Sequence, residues 1–79
     1  MTIKVTEADI KNGITGRATC PVALAIQRKT KELAYVCWDG IYLQPKGGFS
    51  MRIATPKEVK DFVYEFDAGK PVKPFSFKL

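Results

Sequence analysis

The chain has 79 residues, enough for one hydrophobic core and too few for two, so we expect a single domain over residues 1–79. Hydrophobic residues make up 46% of it, which excludes a disordered chain; with no signal-peptide pattern and no apolar run of about 18 residues, we expect a cytoplasmic protein without a membrane partner. The formal net charge of +5 favours nucleic acid, nucleotides or an acidic protein face as partners, although solubility alone would explain it.

The N-terminal part of the chain predicts a short strand and two helices. Residues 3–5 form the strand, and Thr6 can cap a short helix that ends at Gly13. After a loop, Pro21 suits the first position of a second helix, where its missing N–H costs nothing. Residues 22–26 of that helix are apolar nearly all round, so we expect them to be buried.

A β-hairpin is the clearest local prediction. Two runs rich in β-branched and aromatic residues flank Asp39-Gly40, a pair that favours a two-residue type I′ turn. This turn would place Trp38 opposite Ile41 and fix the register of both strands. Side chains alternate between the two faces of a strand, so one face should lie in the core. The predicted core face comprises Val36, Trp38, Ile41 and Leu43, and the opposite face comprises Tyr35, Cys37, Tyr42 and Gln44.

A third strand is predicted after a turn at residues 45–48. Phe49, Met51 and Ile53 should point inward from it, which leaves Ser50 and Arg52 on the outer face. The third strand would therefore extend the hairpin into a sheet.

A third helix is predicted from a capping-box pattern, in which Thr55 would cap the helix, Pro56 would start it and Glu58 would reach back. The helix should end at Gly69. Its apolar residues recur at i, i+3, i+4 and i+7, which predicts one buried stripe. The stripe comprises Val59, Phe62, Val63 and Phe66.

The C-terminal tail is predicted to be extended, because its prolines exclude a helix. Its alternating Phe75, Phe77 and Leu79 would form an edge strand, which either pairs across a two-fold axis in a homo-oligomer or closes its own sheet. The assembled prediction is an α+β domain: a mainly antiparallel sheet of three to four strands with two to three helices on one face. Trp38 would lie in the core between the sheet and the helices.

The sequence lacks the groups on which common catalytic mechanisms depend. It contains no histidine, so no Ser–His or Cys–His pair can form, and we expect no enzymatic activity. Cys20 and Cys37 provide neither a disulfide framework nor a four-ligand zinc site, so no metal and no cofactor are expected. A helix start can activate a thiol, but for Cys20 a capping or packing role is favoured because no partner base can be named.

Two surfaces are candidates for partner binding. One is a cationic surface, since no acidic residue lies between Ile10 and Lys31, although cations in the last turn of a helix also complement its dipole. The other is the outer sheet face, where aromatic rings beside cations could hold bases and phosphates unless another element covers them. The cationic surface comprises Lys11, Arg17, Arg28, Lys29 and Lys31, and the sheet face comprises Tyr35, Tyr42 and Arg52, with Lys46 at the adjoining turn.

Three segments together resemble a group of short, mostly uncharacterised proteins of bacteriophages and prophages: residues 8–13 (ADIKNG), 20–25 (CPVALA) and 66–77 (FDAGKPVKPFSF). The matching motifs are a helix stop, a helix start and a helix exit into a strand, and they carry over no catalytic residue. What the resemblance implies is a biological context, that of bacteriophages and prophages in their bacterial hosts. Small phage proteins of non-enzymatic type are often inhibitors of bacterial defence, such as anti-CRISPR proteins that occlude an effector complex, or sponges that sequester signalling nucleotides.

Three functions are therefore expected as alternatives. The first is a phage-type, anti-CRISPR-like inhibitor that binds an acidic host protein complex stoichiometrically in the infected cell; the basic charge disfavours DNA mimicry. The second is a module that binds single-stranded nucleic acid or a signalling nucleotide. The third is a structural or assembly subunit of a phage particle.

Overall fold

The computed structural model describes residues 1–45, 47–48 and 50–79. These residues form five strands in two antiparallel sheets together with three helices, which confirms the predicted α+β class. One sheet pairs the first strand with the last, and the other contains the three strands between them. The elements are β1 (Thr2–Val5), α1 (Glu7–Asn12), α2 (Pro21–Thr30), β2 (Leu33–Val36), β3 (Ile41–Gln44), β4 (Met51–Ile53), α3 (Lys57–Asp67) and β5 (Phe75–Lys78).

The N- and C-terminal strands form the smaller sheet. β5 pairs antiparallel with β1, so that Phe77 lies opposite Ile3 and both side chains are buried. Beyond the strand, the Leu79 N–H donates to the carbonyl of Met1 over 2.9 Å. The predicted C-terminal strand is confirmed, and of its two expected pairings the one within its own chain is observed.

α1 is a short helix with hydrogen bonds at both ends. The Asp9 N–H donates to Thr6 Oγ1 over 3.3 Å, and the Thr6 N–H donates to Asp9 Oδ2 over 2.9 Å, which completes a capping box. At the other end, the Gly13 N–H donates to the Asp9 carbonyl over 2.8 Å. In a helix of six residues most backbone N–H and C=O groups have no partner within the helix, so the caps at its two ends set where it begins and ends. Both ends lie where the sequence predicts them.

The carboxylate of Asp9 also binds Arg28 of α2. The guanidinium donates from Nη1 to Asp9 Oδ1 and from Nη2 to Asp9 Oδ2, and Nη2 also reaches the Lys4 carbonyl over 3.0 Å. One side chain therefore joins α1, α2 and β1. Burial alone would raise the pKa of Asp9, but the hydrogen bonds from Arg28 and Thr6, with the positive charge of Arg28, outweigh it and hold this pKa below its usual range.

The hairpin between β2 and β3 has a register two residues away from the predicted one. Cys37 and Gly40 exchange backbone hydrogen bonds, with N···O distances of 2.9 and 3.4 Å, so the two residues of the turn are Trp38 and Asp39. The predicted Asp39-Gly40 turn is wrong. None of Trp38, Asp39 and Gly40 has the positive φ that a type I′ turn requires.

A shift of two residues keeps each strand side chain on its predicted face but moves Trp38 out of the core. Val36, Ile41 and Leu43 are buried as predicted. Trp38 is 63% exposed, so the prediction that it lies in the core is wrong. As a turn residue it leaves the sheet, and Lys60 Nζ lies 5.5 Å from the centre of its ring.

The core is one cluster that draws on both sheets and on α2 and α3. Most of the apolar segment of α2 is buried, as predicted. The predicted stripe of α3 faces the cluster, with Val59 and Phe62 buried and Val63 and Phe66 packed against it. The buried residues are Ile3, Val5, Cys20, Val22, Ala23, Ala25, Ile26, Ala34, Val36, Ile41, Leu43, Val59, Phe62 and Phe77.

β4 and the start of α3 depart from the sequence prediction. Met51 was expected to point into the core but is 53% exposed, because β4 is a three-residue strand at the sheet edge. The expected inward position of Phe49 lies outside the described residues. α3 begins after Pro56 without a side-chain cap, and the Thr55 hydroxyl donates instead to the Cys37 carbonyl over 2.9 Å. The predicted capping box is therefore wrong, because a bond to the hairpin occupies the Thr55 side chain.

The bond between Asp9 and Arg28 should make the fold sensitive to acid. Replacing Asp9 with Asn is expected to lower the free energy of unfolding by about 1–3 kcal/mol, because Arg28 loses a charged acceptor. The lowered pKa means that the carboxylate stabilises the fold above its unfolded-state pKa, and this contribution is lost as the pH falls through the lower folded-state value. Urea unfolding at a series of pH values should show a smaller acid-induced loss in Asp9→Asn than in the wild type.

The control is the exposed pair between Lys57 and Asp61, whose atoms lie 3.2 Å apart on one face of α3. Asp61→Asn should change the free energy of unfolding by less than about 0.5 kcal/mol, because exposed i,i+4 pairs contribute little. Equal effects of the two substitutions would contradict the role given to Asp9.

The observed register predicts a small effect for truncation of Trp38, which lies in the turn, and a large one for Ile41, which lies opposite Val36. Trp38→Ala should change the free energy of unfolding by less than about 1 kcal/mol, whereas Ile41→Ala should cost about 2–4 kcal/mol, because Ile41 is fully buried. Thermal and urea unfolding of both variants measure this. A loss in Trp38→Ala as large as that in Ile41→Ala would indicate a buried tryptophan.

Candidate partner-binding surface

Tyr35, Tyr42 and Arg52 form a row across the outer face of the three-stranded sheet, which we call the hairpin surface. Tyr35 lies opposite Tyr42, and Tyr42 lies opposite Arg52, so each strand contributes one side chain. Both tyrosines are partly exposed and Arg52 is exposed. The sequence predicted this grouping from a register that is wrong by two residues, because such a shift leaves each side chain on its face.

Asp39, in the turn, holds two of these side chains. The Tyr42 hydroxyl donates to Asp39 Oδ2 over 3.3 Å, and Arg52 Nη2 donates to the Asp39 carbonyl. Arg52 consequently lies across Gly40, where a Cβ would come within 2.9 Å of Arg52 Nε. Glycine at this position therefore allows the close approach of Arg52, rather than an unusual backbone conformation in the turn.

Arg17 lies beside the hairpin surface, although the sequence assigned it to a separate cationic surface. The Val36 N–H donates to the Arg17 carbonyl over 2.8 Å, which holds the loop before α2 along the edge of β2. Arg17 then lines a cleft of about 520 Å³ together with Tyr35 and Tyr42. An exposed guanidinium next to two phenol rings can bind a carboxylate or a phosphate group.

The other cations of the predicted cationic surface do not converge on this row. Arg28 is bound to Asp9, which compensates its charge and joins two helices, although half of its side chain remains exposed. Lys11 lies on α1 and Lys29 in the last turn of α2, both exposed. Lys31 caps the end of α2 with a left-handed backbone (φ 60°). Lys46, predicted beside the sheet face, lies outside the described residues.

A second cleft, of about 470 Å³, lies between the hairpin turn, α3 and the loop before α2, and we call it the tip cleft. Trp38 lines it, and Lys60 sits over the Trp38 ring within cation–π distance. Val36 and Val63 add apolar lining. Sequence analysis missed this site because Asp39-Gly40 favours a turn that would bury Trp38, and no local signal indicates the earlier turn.

The two cysteines are free thiols with different surroundings. Cys20 caps α2, accepting a hydrogen bond at Sγ from the Ala23 N–H over 3.4 Å, and is buried. Burial raises the pKa of the Cys20 thiol, which lowers the thiolate fraction at neutral pH. The capping role favoured by the sequence is therefore the one observed. Cys37 is partly exposed, next to the turn.

Comparison with protein families, with curated proteins and with solved structures found no match to this chain. The longest helix, α3, has 11 residues, and none of the helices in the described part of the chain has the length and apolar character needed to cross a bilayer. Among the same residues, no three Asp, Glu or Cys side chains cluster in a way that could hold a metal ion.

The thiols should react with alkylating reagents at different rates. Cys37 is expected to be modified first in the folded protein, and Cys20 only as unfolding exposes it, because it is buried and its pKa is raised. Mass spectrometry after timed exposure to iodoacetamide, with and without urea, gives both rates. The variant Cys37→Ser should leave a single slow thiol. Equally fast modification of both cysteines without urea would contradict the buried position of Cys20.

Proposed function

We propose that the protein acts by stoichiometric binding, through the hairpin surface, to an acidic face of a partner protein, and that it performs no catalysis. The observation that carries the proposal is the row of Tyr35, Tyr42 and Arg52, one side chain from each strand. Tyrosine and arginine are, with tryptophan, the residue types that supply most of the binding energy at protein interfaces. They are presented here on a sheet whose other face packs into the core, so little order has to be gained on binding.

The charges around the row favour a protein over a polyanion as partner. Arg17 and Arg52 supply positive charge, but the carboxylate of Asp39 lies among them, bonded to the Tyr42 hydroxyl. A nucleic acid strand would meet this carboxylate together with the cations. A protein face with many carboxylates and a few hydrogen-bond donors could pair with the two arginines and with the Asp39 carboxylate. Such a face would also complement the net charge of +5.

The class of partner rests on the resemblance to small phage proteins. We propose a bacterial defence effector, with CRISPR effector complexes as the first candidates, which the protein would occlude in the cytoplasm of an infected cell. Inhibitors that imitate DNA carry acidic surfaces. This chain has 13 basic and 8 acidic residues, so contact with an acidic protein patch fits better than mimicry of a nucleic acid.

The proposal predicts that single truncations in the row weaken the complex strongly. Arg52→Ala and Tyr42→Ala should each reduce affinity for the effector complex by about tenfold or more, since truncation at an interface hot spot costs about 2 kcal/mol. Native mass spectrometry of purified effector complexes mixed with the protein gives the stoichiometry, and biolayer interferometry gives the affinity. The matched control is Lys78→Ala, which removes an exposed cation from the other sheet and should leave affinity unchanged.

Two outcomes would contradict different parts of the proposal. If none of a panel of purified CRISPR effector complexes binds, the partner class is wrong. If one binds but Arg52→Ala and Tyr42→Ala retain wild-type affinity, the hairpin surface is not the interface.

Single-stranded nucleic acid is a second candidate, because two partly exposed tyrosines on an open sheet face form the kind of platform on which such modules stack bases. This candidate predicts an affinity that falls steeply with salt, because phosphate contacts release counterions. Fluorescence anisotropy with labelled single-stranded DNA and RNA at two salt concentrations separates the candidates. Absence of binding at low salt would remove the second.

A further inference from the structure

The tip cleft has the size and the composition of a small-molecule site. Its volume of about 470 Å³ lies within the range of about 300–1,000 Å³ that ligand pockets occupy. Such pockets combine mostly apolar walls with a few convergent polar groups. Here Val36, Val63 and the indole of Trp38 supply apolar lining, and four charged side chains lie around it.

The aromatic ring of the cleft is available to a planar ligand. Trp38 is 63% exposed, which is unusual for the largest apolar side chain type in proteins. Lys60 lies 5.5 Å from the ring centre, and the exposed fraction shows that much of the indole surface is still in contact with solvent. Stacking of a base on an exposed aromatic ring contributes about 1–3 kcal/mol in nucleic-acid modules, and it requires only a flat ring.

The charged groups around the cleft set the rest of the ligand chemistry. Arg17 and Lys60 can donate to a phosphate, and Asp39 and Asp67 can accept from amino or hydroxyl groups. A ligand that matches this set needs a flat ring, neutral donors and one anionic group. A nucleoside monophosphate has all three, in its base, its ribose hydroxyls and its phosphate.

We infer that the tip cleft binds a nucleoside phosphate, with the base against Trp38 and the phosphate held by Arg17 and Lys60. The inference does not rest on the proposed protein partner. Arg17 and Asp39 border both the hairpin surface and the tip cleft, but the ligand is a different one. Trp38 and Lys60 line the tip cleft and not the cleft beside the tyrosines. It assigns a role to Trp38, whose exposure the fold does not otherwise require.

The sole tryptophan of the chain lies in the cleft, so its fluorescence reports binding directly. Titration with adenosine 5′-monophosphate should change the Trp38 emission saturably. Adenosine should bind more weakly, because it lacks the phosphate, and inorganic phosphate alone should leave the emission unchanged. N-acetyltryptophanamide titrated in parallel corrects for light absorbed by the nucleotide.

Substitutions distinguish binding in the tip cleft from nonspecific electrostatic attraction of the nucleotide to a basic protein. Lys60→Gln and Arg17→Gln should each weaken binding of adenosine 5′-monophosphate by about tenfold, since hydrogen bonds to charged groups contribute about 1.5–3 kcal/mol. Lys57→Gln is the matched control on the same helix, because its side chain points into solvent and pairs with Asp61. Trp38→Ala, followed by calorimetry, should weaken binding by about tenfold or more while the protein remains folded, because the base loses its stacking surface.

The inference is overturned if adenosine, guanosine, cytidine and uridine monophosphates all fail to change Trp38 emission saturably up to about 1 mM, the limit of weak specific binding. It is equally overturned if Lys57→Gln weakens binding as much as Lys60→Gln, or if Trp38→Ala binds with wild-type affinity.

Discussion

The exchange of hydrogen bonds between Cys37 and Gly40 sets the arrangement of both candidate binding surfaces. It fixes the register of the hairpin, and the register decides what each side chain faces. Tyr35 and Tyr42 come to lie side by side, in line with Arg52 of the next strand. The same register makes Trp38 a turn residue, exposed at the tip rather than buried under the sheet.

This register is supported by residues from elsewhere in the chain. The Thr55 hydroxyl binds the Cys37 carbonyl, and Arg52 binds the Asp39 carbonyl across Gly40. The turn is therefore bonded to β4, through Arg52, and to the connection between β4 and α3, through Thr55. These two hydrogen bonds hold the turn in place, and a turn that is already held lowers the entropic cost of binding either a protein face or a small ligand. The placement of the hairpin surface and the tip cleft next to one another follows from the same contacts.

The sequence predicted those features that a residue and its near neighbours determine. The Thr6 cap, the helix start at Pro21 and the alternation of strand faces were all correct. Predictions failed where a distant side chain competes with a local preference, since Asp39-Gly40 favours a turn that Thr55 and Arg52 oppose. Arg28 is exposed as predicted, but its pairing with Asp9 gives no local signal because the two residues lie 19 positions apart. The hairpin surface could be predicted because a two-residue shift in register leaves each side chain on the same face of the sheet. The tip cleft could not, because the exposure of Trp38 depends on the register itself.

The most direct test of the account is a measurement of the hairpin register in solution. In an antiparallel pair, Hα atoms of residues that do not exchange hydrogen bonds approach closely enough for a strong nuclear Overhauser effect. The observed register brings the Hα atoms of Val36 and Ile41 into such contact, so this effect is expected. A contact between the Hα atoms of Cys37 and Tyr42 in its place would establish the Asp39-Gly40 turn. It would bury Trp38, which contradicts the tip cleft, and it would move Tyr35 from its place opposite Tyr42 in the hairpin surface.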